Sequence, residues 1–291
     1  RSKTTIFLIA LIVIVGFLAA ASIKTTAYNN KNHHLRVAGN ELLSPESGSS
    51  GNVTIVAVPR DSTWTKVFDF NNEGLTEHNY QAYTYDFTVS NNTNDEVRSF
   101  FFKLTFSTRV FLLSGWNGSV EIHQKVNGGE LVSNIPDLRD YNAADYALET
   151  VVFDGDTLIS MNPGDYLIYF PSTSENAIEM PINPHEGTVP GFILYTEIGT
   201  DIKGSTLELE YTFHRVLTTE PLFWISVGVM GVWLIVLLIF VITSAKIRKY
   251  KQRHERDNKI INESIETFTG FIDAKDPYTN GHSKRVAKYT R

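Results

Sequence analysis

The sequence contains no cysteine in its 291 residues, so neither a disulfide framework nor thiolate chemistry is available to it. Basic residues are scarce over one long stretch, because residues 24–220 hold 12 Lys and Arg against 26 Asp and Glu. Residues 246–291 reverse that balance, with 12 Lys and Arg against 6 Asp and Glu. Such a division of charge indicates two parts that lie in different compartments. The acidic stretch is typical of a solvated outer domain, and none of its residue clusters demands a metal.

Charge is absent altogether from residues 6–23, between Arg1 and Lys3 on one side and Lys24 on the other. As a helix rising about 1.5 Å per residue, this run spans about 27 Å, which is close to the thickness of a bilayer core. The run predicts a transmembrane helix or signal anchor. The alternative is a cleaved signal peptide, since residues 19–22 are small enough to form a cleavage site.

A second charge-free run, residues 221–243, predicts another transmembrane helix, and its length disfavours a buried core helix. Five basic residues follow it directly: Lys246, Arg248, Lys249, Lys251 and Arg253. Positive charge marks the cytoplasmic flank of a membrane helix. We therefore expect two spans of the cell membrane, with residues 24–220 extracytoplasmic and the C-terminal part cytoplasmic. The basic run suits anionic lipid headgroups rather than nucleic acid.

Between the two runs the pattern is that of an all-β domain. Residues 24–52 are rich in Asn, Gly and Ser and predict a linker. Residues 53–216 predict an antiparallel β-sandwich, because short β-branched or alternating segments follow one another without a helical period. The expected strands are Val53–Val58, Tyr83–Val89, Phe100–Phe106, Gly118–Lys125, Thr150–Phe153, Asp165–Phe170, Gly191–Thr196 and Ser205–Phe213. The polar residues 91–95 are consistent with a hairpin loop between the second and third.

The order of motifs in this domain is similar to that of family 2 carbohydrate-binding modules. A Tyr-rich strand, a turn after Val89-Ser-Asn and a Phe-rich strand precede Ser114-Gly-Trp-Asn117 and Asn162-Pro-Gly-Asp165. The resemblance implies that Trp116 stacks on sugar rings and that the ligand is an extracellular polysaccharide or the cell wall. Trp64 precedes the matching region, and residues 24–220 contain no third tryptophan. A core position is therefore the alternative for both tryptophans.

Residues 244–272 predict a signalling helix that leads from the membrane to the C-terminal motif. Ile261, Ile265, Phe268 and Ile272 are spaced by four, three and four residues. This spacing is typical of the seam of a two-stranded coil, and equally of a helix that packs its apolar side on a following domain. The only ground for expecting a homodimer is that a receptor with two membrane helices and a connecting helix commonly needs a partner to transmit motion.

Residues 273–291 predict a helix end, a turn and a new helix. Asp276-Pro277 ends the preceding helix, because proline lacks the N–H donor and restricts the residue before it. Thr279 or Asn280 can cap the next helix, which starts at about Gly281. His282 then lies in the first turn, where a neutral imidazole can reach a metal. The alternative is an ordinary surface histidine.

The segment from Asp273-Ala-Lys-Asp-Pro-Tyr through Thr-Asn-Gly-His-Ser-Lys-Arg-Val286 resembles the opening of HD-GYP domains. These belong to the HD metal-dependent phosphohydrolases and hydrolyse cyclic di-GMP. The resemblance covers about residues 260–291. It implies an all-α domain with two or three ions, iron or manganese, of which His282 is a ligand. Arg285 is a weaker candidate for a phosphate contact, and Asp276 is interpreted as a turn residue rather than a ligand.

The later His-Asp pair, the further metal-binding histidines and the Gly-Tyr-Pro motif do not occur in the sequence. We therefore expect a fragment of a longer enzyme, which is not catalytic by itself since one ligand does not hold a metal cluster. Two alternatives remain open. One is an adhesion or cell-wall-binding receptor with a non-catalytic HD domain, and the other is an HD phosphohydrolase that acts on a different nucleotide.

Overall fold

The computed structural model describes residues 2–43, 53–61, 67–69, 79–153, 155–174, 177–275 and 281–289. The chain forms two compact units. One comprises residues 21–220, and the other comprises residues 1–20 together with residues 221–291.

The described residues contain three α-helices: α1 (Ser2–Asn29), α2 (Pro221–Lys275) and α3 (His282–Tyr289). Both α1 and α2 carry segments long and apolar enough to cross a membrane. Their apolar parts contact each other, since the Trp233 indole N–H donates to the Phe7 carbonyl at 3.3 Å and the Phe7 ring lies 5.0 Å from that of Phe240. The expectation of two apolar helices on either side of a β-domain is confirmed.

Residues 21–220 form a β-sandwich. Its strands are β1 (Asn32–Ala38), β2 (Val53–Asp61), β3 (Val67–Asp69), β4 (Asn79–Asn91), β5 (Glu96–Thr105), β6 (Val110–Trp116), β7 (Gly118–Val126), β8 (Gly129–Ile135), β9 (Thr150–Phe153), β10 (Asp156–Met161), β11 (Tyr166–Pro171), β12 (Thr173–Ser174), β13 (Ala177–Ile178), β14 (Gly187–Thr188), β15 (Gly191–Glu197) and β16 (Thr206–His214). A six-stranded sheet has the order β1-β16-β5-β11-β7-β8. An eight-stranded sheet has the order β14-β4-β15-β6-β10-β9, with β2 and β3 also paired to β4. The predicted sandwich is confirmed.

The core lies between the two sheets, where alternate side chains of the strands meet. Aromatic rings dominate it: Phe87 of the eight-stranded sheet stacks on Phe102 of the six-stranded sheet at 5.3 Å, and Phe102 stacks on Tyr169 at 4.9 Å. A second, smaller apolar cluster includes Tyr80 and Ala82, separate from the cluster that contains Tyr85 and Phe87. Strand β4 therefore buries side chains on both of its faces.

The structure differs from the linker expected at residues 24–52. Helix α1 continues to Asn29, and β1 pairs along its whole length with β16 at the edge of the six-stranded sheet. Val37 is fully buried and Leu35 half-buried, alternating with exposed residues, which makes this segment a strand despite its polar composition. A 3-10 helix follows at Gly39–Leu43. Residues 44–52 lie outside the described part of the chain.

The hairpin expected around residues 91–95 is wrong. Strand β4 pairs with β2, β3, β14 and β15, whereas β5 pairs with β16 and β11, so the connection crosses from one sheet to the other. The alternating pattern of both strands is the same in either arrangement, because each presents its apolar face to the shared core. The Phe87–Phe102 stack is that contact across the core.

Candidate functional site

Trp116 lies at the end of β6, directly across the ladder from Gly191 of β15. A Cβ atom added to Gly191 would lie 1.9 Å from Cζ2 of the indole, so the ring covers the glycine backbone. The side chain is half-buried, neither enclosed in the core nor fully open to solvent. A sugar contact by Trp116 stays a prediction, and Trp64 lies outside the described residues.

A groove of about 380 Å³ opens beside β6, two residues along the strand from Trp116. Its lining comprises Leu113, Ser114, Leu138, Arg139, Tyr141, Asn142, Gly155, Asp156 and Thr157. The groove combines apolar side chains with exposed hydrogen-bonding groups from Arg139, Asn142 and Asp156. Such a mixture suits a small polar ligand or one unit of a polymer.

Two contacts fix the walls of this groove. The Arg139 guanidinium donates to both oxygens of the Asp137 carboxylate at 3.2 and 2.9 Å, and these bonds lower the pKa of Asp137. The Tyr141 hydroxyl donates to the Thr157 carbonyl at 3.0 Å, and burial raises the pKa of Tyr141 to about 12. Tyr141 therefore stays neutral and its hydroxyl is already used. The Asn142 side-chain oxygen also accepts from the Ala144 N–H at 3.2 Å, so the exposed groups that a ligand could contact are the Asn142 side-chain NH2 and the Asp156 carboxylate.

A second set of polar residues lies within the unit of residues 21–220 and includes residues near both ends of that range. Its centre is Asp95, in the turn between β4 and β5. The Asn91 side chain shapes this turn by donating to the Asp95 carbonyl at 2.9 Å and to the Ile182 carbonyl at 3.2 Å. The fully buried Asn91 therefore fixes the backbone that presents the Asp95 carboxylate.

The Asp95 carboxylate accepts three hydrogen bonds. Arg215, just after β16, donates Nε to Oδ1 at 3.1 Å and Nη2 to Oδ2 at 2.6 Å. The Tyr28 hydroxyl, near the end of α1, donates to Oδ2 at 2.8 Å, and the guanidinium lies 4.0 Å from the centre of the Tyr28 ring. These bonds lower the pKa of Asp95 and raise that of Arg215, so the pair is charged at neutral pH.

Two further contacts extend this set, which we call the membrane-proximal network: Lys24, Tyr28, Asn29, Asp95, Arg215 and Glu220. The Asn29 side-chain amide donates to the Arg215 carbonyl at 3.1 Å and accepts from the Arg215 amide N–H at 2.8 Å. Lys24 pairs with the Glu220 carboxylate, whose side chain is only 4% exposed. Glu220 directly precedes Pro221, the first residue of α2. The last residues of α1 and the approach to α2 are thus linked through side chains of the sandwich unit.

The structure places His282 at the start of α3 and Arg285 one turn later, both exposed. Helix α2 is described as far as Lys275, and Gly281 has a positive φ of 79° before the new helix. Asp276 itself lies outside the described residues. Within the described ranges no three His, Asp or Glu side chains come together as a metal site. The roles of His282 and Arg285 stay predictions.

The described part of the chain contains one helix after α2, the eight-residue α3. An assembly of HD-domain helices is therefore not shown by the residues that the structure describes. A lone exposed imidazole fits the ligand chemistry of iron or manganese but does not make a site.

Sequence reasoning missed one polar cluster on the outer face of the six-stranded sheet. His123 of β7 contacts Glu121 with Nε2 at 2.6 Å and Glu130 of β8 with Nδ1 at 3.0 Å. Its ring stacks on Tyr166 at 4.2 Å, and Lys103 lies 4.0 Å above the Tyr166 ring. The Glu130 carboxylate has a lowered pKa, chiefly because it is hydrogen-bonded to His123. The alternation of Glu121 and His123 along a strand is the signal that could have revealed the shared face.

No family model and no curated protein matches the chain. Among solved structures, a family 11 carbohydrate-binding module from Clostridium thermocellum, in complex with a beta-1,3-1,4-mixed-linked tetrasaccharide, matches at 11% sequence identity. The match covers 62% of this chain and 95% of that chain, with a TM-score of 0.16. A superposition this poor assigns no site, so the sites above rest on the residues of this chain.

Proposed function

We propose that this chain belongs to a membrane receptor in which the β-sandwich binds an extracytoplasmic ligand and α2 carries the response into the cytoplasm. The cytoplasmic part would be a metal-dependent phosphohydrolase of the HD-GYP type that hydrolyses cyclic di-GMP. In this proposal residues 24–220 lie on the extracytoplasmic side of the cell membrane, and the residues after Thr243 lie in the cytoplasm.

The continuity of α2 carries the proposal. Its 55 residues form one helix, which extends about 82 Å at about 1.5 Å per residue. The apolar residues 221–243 account for about 35 Å of this length, enough to cross a bilayer with some tilt. The remaining polar turns must then project from the membrane as a rigid rod. A movement at Pro221 would reach Lys275 without an intervening hinge.

The ends of the helices support a coupled sensor. The membrane-proximal network joins Lys24, Tyr28 and Asn29 of α1 to Asp95 and Arg215 of the sandwich, and Glu220 lies in the same network. A ligand that changed the β4–β5 turn would therefore act through hydrogen-bonded charges on Lys24, Tyr28 and Asn29 of α1 and on Glu220, the residue before α2. This arrangement favours a receptor over a passive anchor.

The proposed catalytic role starts from His282. As the resemblance implies, its imidazole would hold one of the iron or manganese ions, and Arg285 on the same short helix would contact a substrate phosphate. The ions supply Lewis-acid activation and charge stabilisation for phosphodiester hydrolysis when they are bound. Residues outside this sequence would have to complete the ligand set, since a single imidazole cannot hold such an ion.

The decisive experiment uses the full-length protein in detergent with iron or manganese. We expect linearisation of cyclic di-GMP, loss of this turnover by at least 100-fold in His282→Ala, and lower bound metal in that variant. Lys288→Ala, an exposed change on the last turn of α3, is the control and should retain both. Undiminished turnover in His282→Ala would overturn the ligand assignment. Turnover of another nucleotide alone would favour the second enzymatic alternative.

The ligand of the sandwich is tested separately. We propose an extracellular polysaccharide or cell-wall polymer, with Trp116 and the groove residue Asn142 in contact with it. Full-length protein should be retained on insoluble polysaccharide, and Trp116→Ala and Asn142→Ala should each reduce retention by about 10-fold or more, as expected for losing about 1.4 kcal/mol. Val152→Ala, an exposed change on β9, is the control. Equal retention of the wild type and Trp116→Ala would remove Trp116 from any sugar site.

A further inference from the structure

The polar half of α2 carries an apolar stripe that is open to solvent. The stripe consists of Ile261, Ile265, Phe268 and Ile272, which are 54%, 57%, 71% and 60% exposed. Removing apolar side chains of this size from water is favourable. A row of four on one helix face therefore marks a surface that binds something.

Lipid cannot cover this stripe if residues 221–243 cross the bilayer. Ile261 lies 18 residues beyond Thr243, which is about 27 Å along the helix. The intervening turns carry both basic and acidic side chains that are exposed. The stripe must therefore be covered by protein.

The apolar members of the stripe lie within residues 261–272, and one polar residue adjoins them on the membrane side. Asn258 lies three residues before Ile261, and the same spacing then falls on His254, Lys251 and Ile247, of which only Ile247 is apolar. A repeat of 3.5 residues keeps one face of a helix against a like helix along its length. A single asparagine at an inward position, as at Asn258, favours a defined register and a two-stranded pair.

The residues that flank the stripe allow a second helix to approach it closely. The hydroxyls of Ser264 and Thr269, which flank it, donate to the carbonyls of Ile260 and Ile265 at 2.8 and 2.7 Å. Their donors are satisfied within the helix, so they can be covered at little cost. On the opposite face, Lys259 and Glu263 form an exposed ion pair at 3.7 Å. Charge is thus kept on the side that remains in water.

We infer that the apolar stripe pairs in parallel with the same stripe of a second copy of this chain. The inference rests on the proposed function in one respect, namely that α2 crosses a membrane. Two copies inserted in the same direction carry their stripes at the same distance from the bilayer, because α2 is one continuous helix. Identical stripes then meet in register without further adjustment, which is what a symmetric interface requires.

Disulfide mapping tests the pairing directly, since residues 1–291 contain no cysteine and any cysteine elsewhere in the full-length protein is first replaced by serine. Single cysteines are placed in the full-length protein at 261, 265, 268 and 272, and at 263, 266 and 270 as controls, and membranes are oxidised. A disulfide needs Cα atoms about 4.4–6.8 Å apart, a distance that two inward positions of a parallel pair approach and two outward positions do not. We expect dimer yields at the stripe at least 5-fold above the controls. Uniform or absent cross-linking at all seven positions would overturn the inference.

A second measurement does not depend on oxidation. Phe268→Asp should shift the protein in detergent from dimer to monomer by light scattering, while Glu263→Gln on the opposite face should not. Retained helix content by circular dichroism separates loss of pairing from loss of fold. A dimer that persists in Phe268→Asp contradicts pairing through the stripe. Periodic cross-links without cyclic di-GMP turnover would support the dimer and count against the enzyme, whereas turnover without them would overturn the dimer alone.

Discussion

At the scale of single residues, the tightest constraint on the candidate ligand surface is a glycine. Gly191 lies under the Trp116 indole, and an added Cβ would meet three ring atoms at 1.9, 2.5 and 2.6 Å. Gly191→Ala must therefore displace the indole or the β15 backbone. We expect this change to lower the free energy of unfolding by about 1–3 kcal/mol, as measured by denaturant titration.

Two variants separate this steric effect from an ordinary loss of glycine. Gly129→Ala, at the start of β8, meets its nearest atom at 3.5 Å and should change stability by less than about 0.5 kcal/mol. In a Trp116→Ala background the cost of Gly191→Ala should fall, because the clashing ring is gone. Equal costs in both backgrounds would show that Trp116 does not lie on Gly191.

At the scale of elements, the membrane-proximal network predicts a dependence on pH. The pKa of Asp95 in the folded protein is below its ordinary value of 3.8, chiefly because of its hydrogen bonds with Arg215. A lowered pKa means that the carboxylate stabilises the fold above the ordinary value and that this contribution is lost as the pH falls through the lowered one. Asp95→Asn keeps the shape but removes the charge, so it should cost about 1–3 kcal/mol near neutral pH.

The measurement is the difference in unfolding free energy between wild type and Asp95→Asn as a function of pH. This difference should be constant from about pH 5 to 7 and shrink below the ordinary Asp range near pH 3.9. Asp140→Asn, an exposed change in a loop, should show little difference across the range. If the difference in unfolding free energy between wild type and Asp95→Asn grew as the pH fell, the stabilising role of the Asp95 carboxylate would be contradicted.

The positions of strands were predictable from the sequence where the residue pattern of the segment itself determines that it is a strand. Thr150–Phe153 is a strand with the expected bounds, because a β-branched run lies between turn residues. The hairpin of β7 and β8 was missed although its signal is present. Asn127 and Gly128 have φ of 49° and 79° in a two-residue turn, the conformation that Asn-Gly favours.

Strand pairing was not predictable in the same way. The alternation of apolar and polar residues within a strand does not identify the strand with which it pairs. The crossing of β4 to β5 and the edge position of β1 depend on which surface each strand covers. The candidate sites share this difficulty. The Asp95–Arg215 pair joins residues 120 positions apart, and neither residue stands out within its own segment. His282 was proposed as a metal ligand only because its neighbours resemble a known motif.

At the scale of the whole molecule, the division of charge and the two apolar helices lead to one arrangement that can be tested by labelling. Residues 1–291 contain no cysteine, so a single introduced thiol reports its own location once any cysteine elsewhere in the protein is replaced by serine. Val152 of β9 is 70% exposed and Tyr289 of α3 is 87% exposed. Val152→Cys should react with a membrane-impermeant thiol reagent in intact cells, whereas Tyr289→Cys should react only after permeabilisation.

The proposed orientation depends on charge as well as on hydrophobicity. In the proposed orientation, the basic residues at 246–253 would resist translocation and hold the C-terminal side in the cytoplasm, while the acidic sandwich carries few such residues. Labelling of Tyr289→Cys in intact cells would reverse the orientation, and with it the proposal that α2 transmits a signal inward. Recovery of the protein in the soluble fraction would instead exclude both spans. A thiol at 289 that is protected until permeabilisation, together with an open one at 152, would place the sandwich and the His282 helix on opposite sides of one membrane.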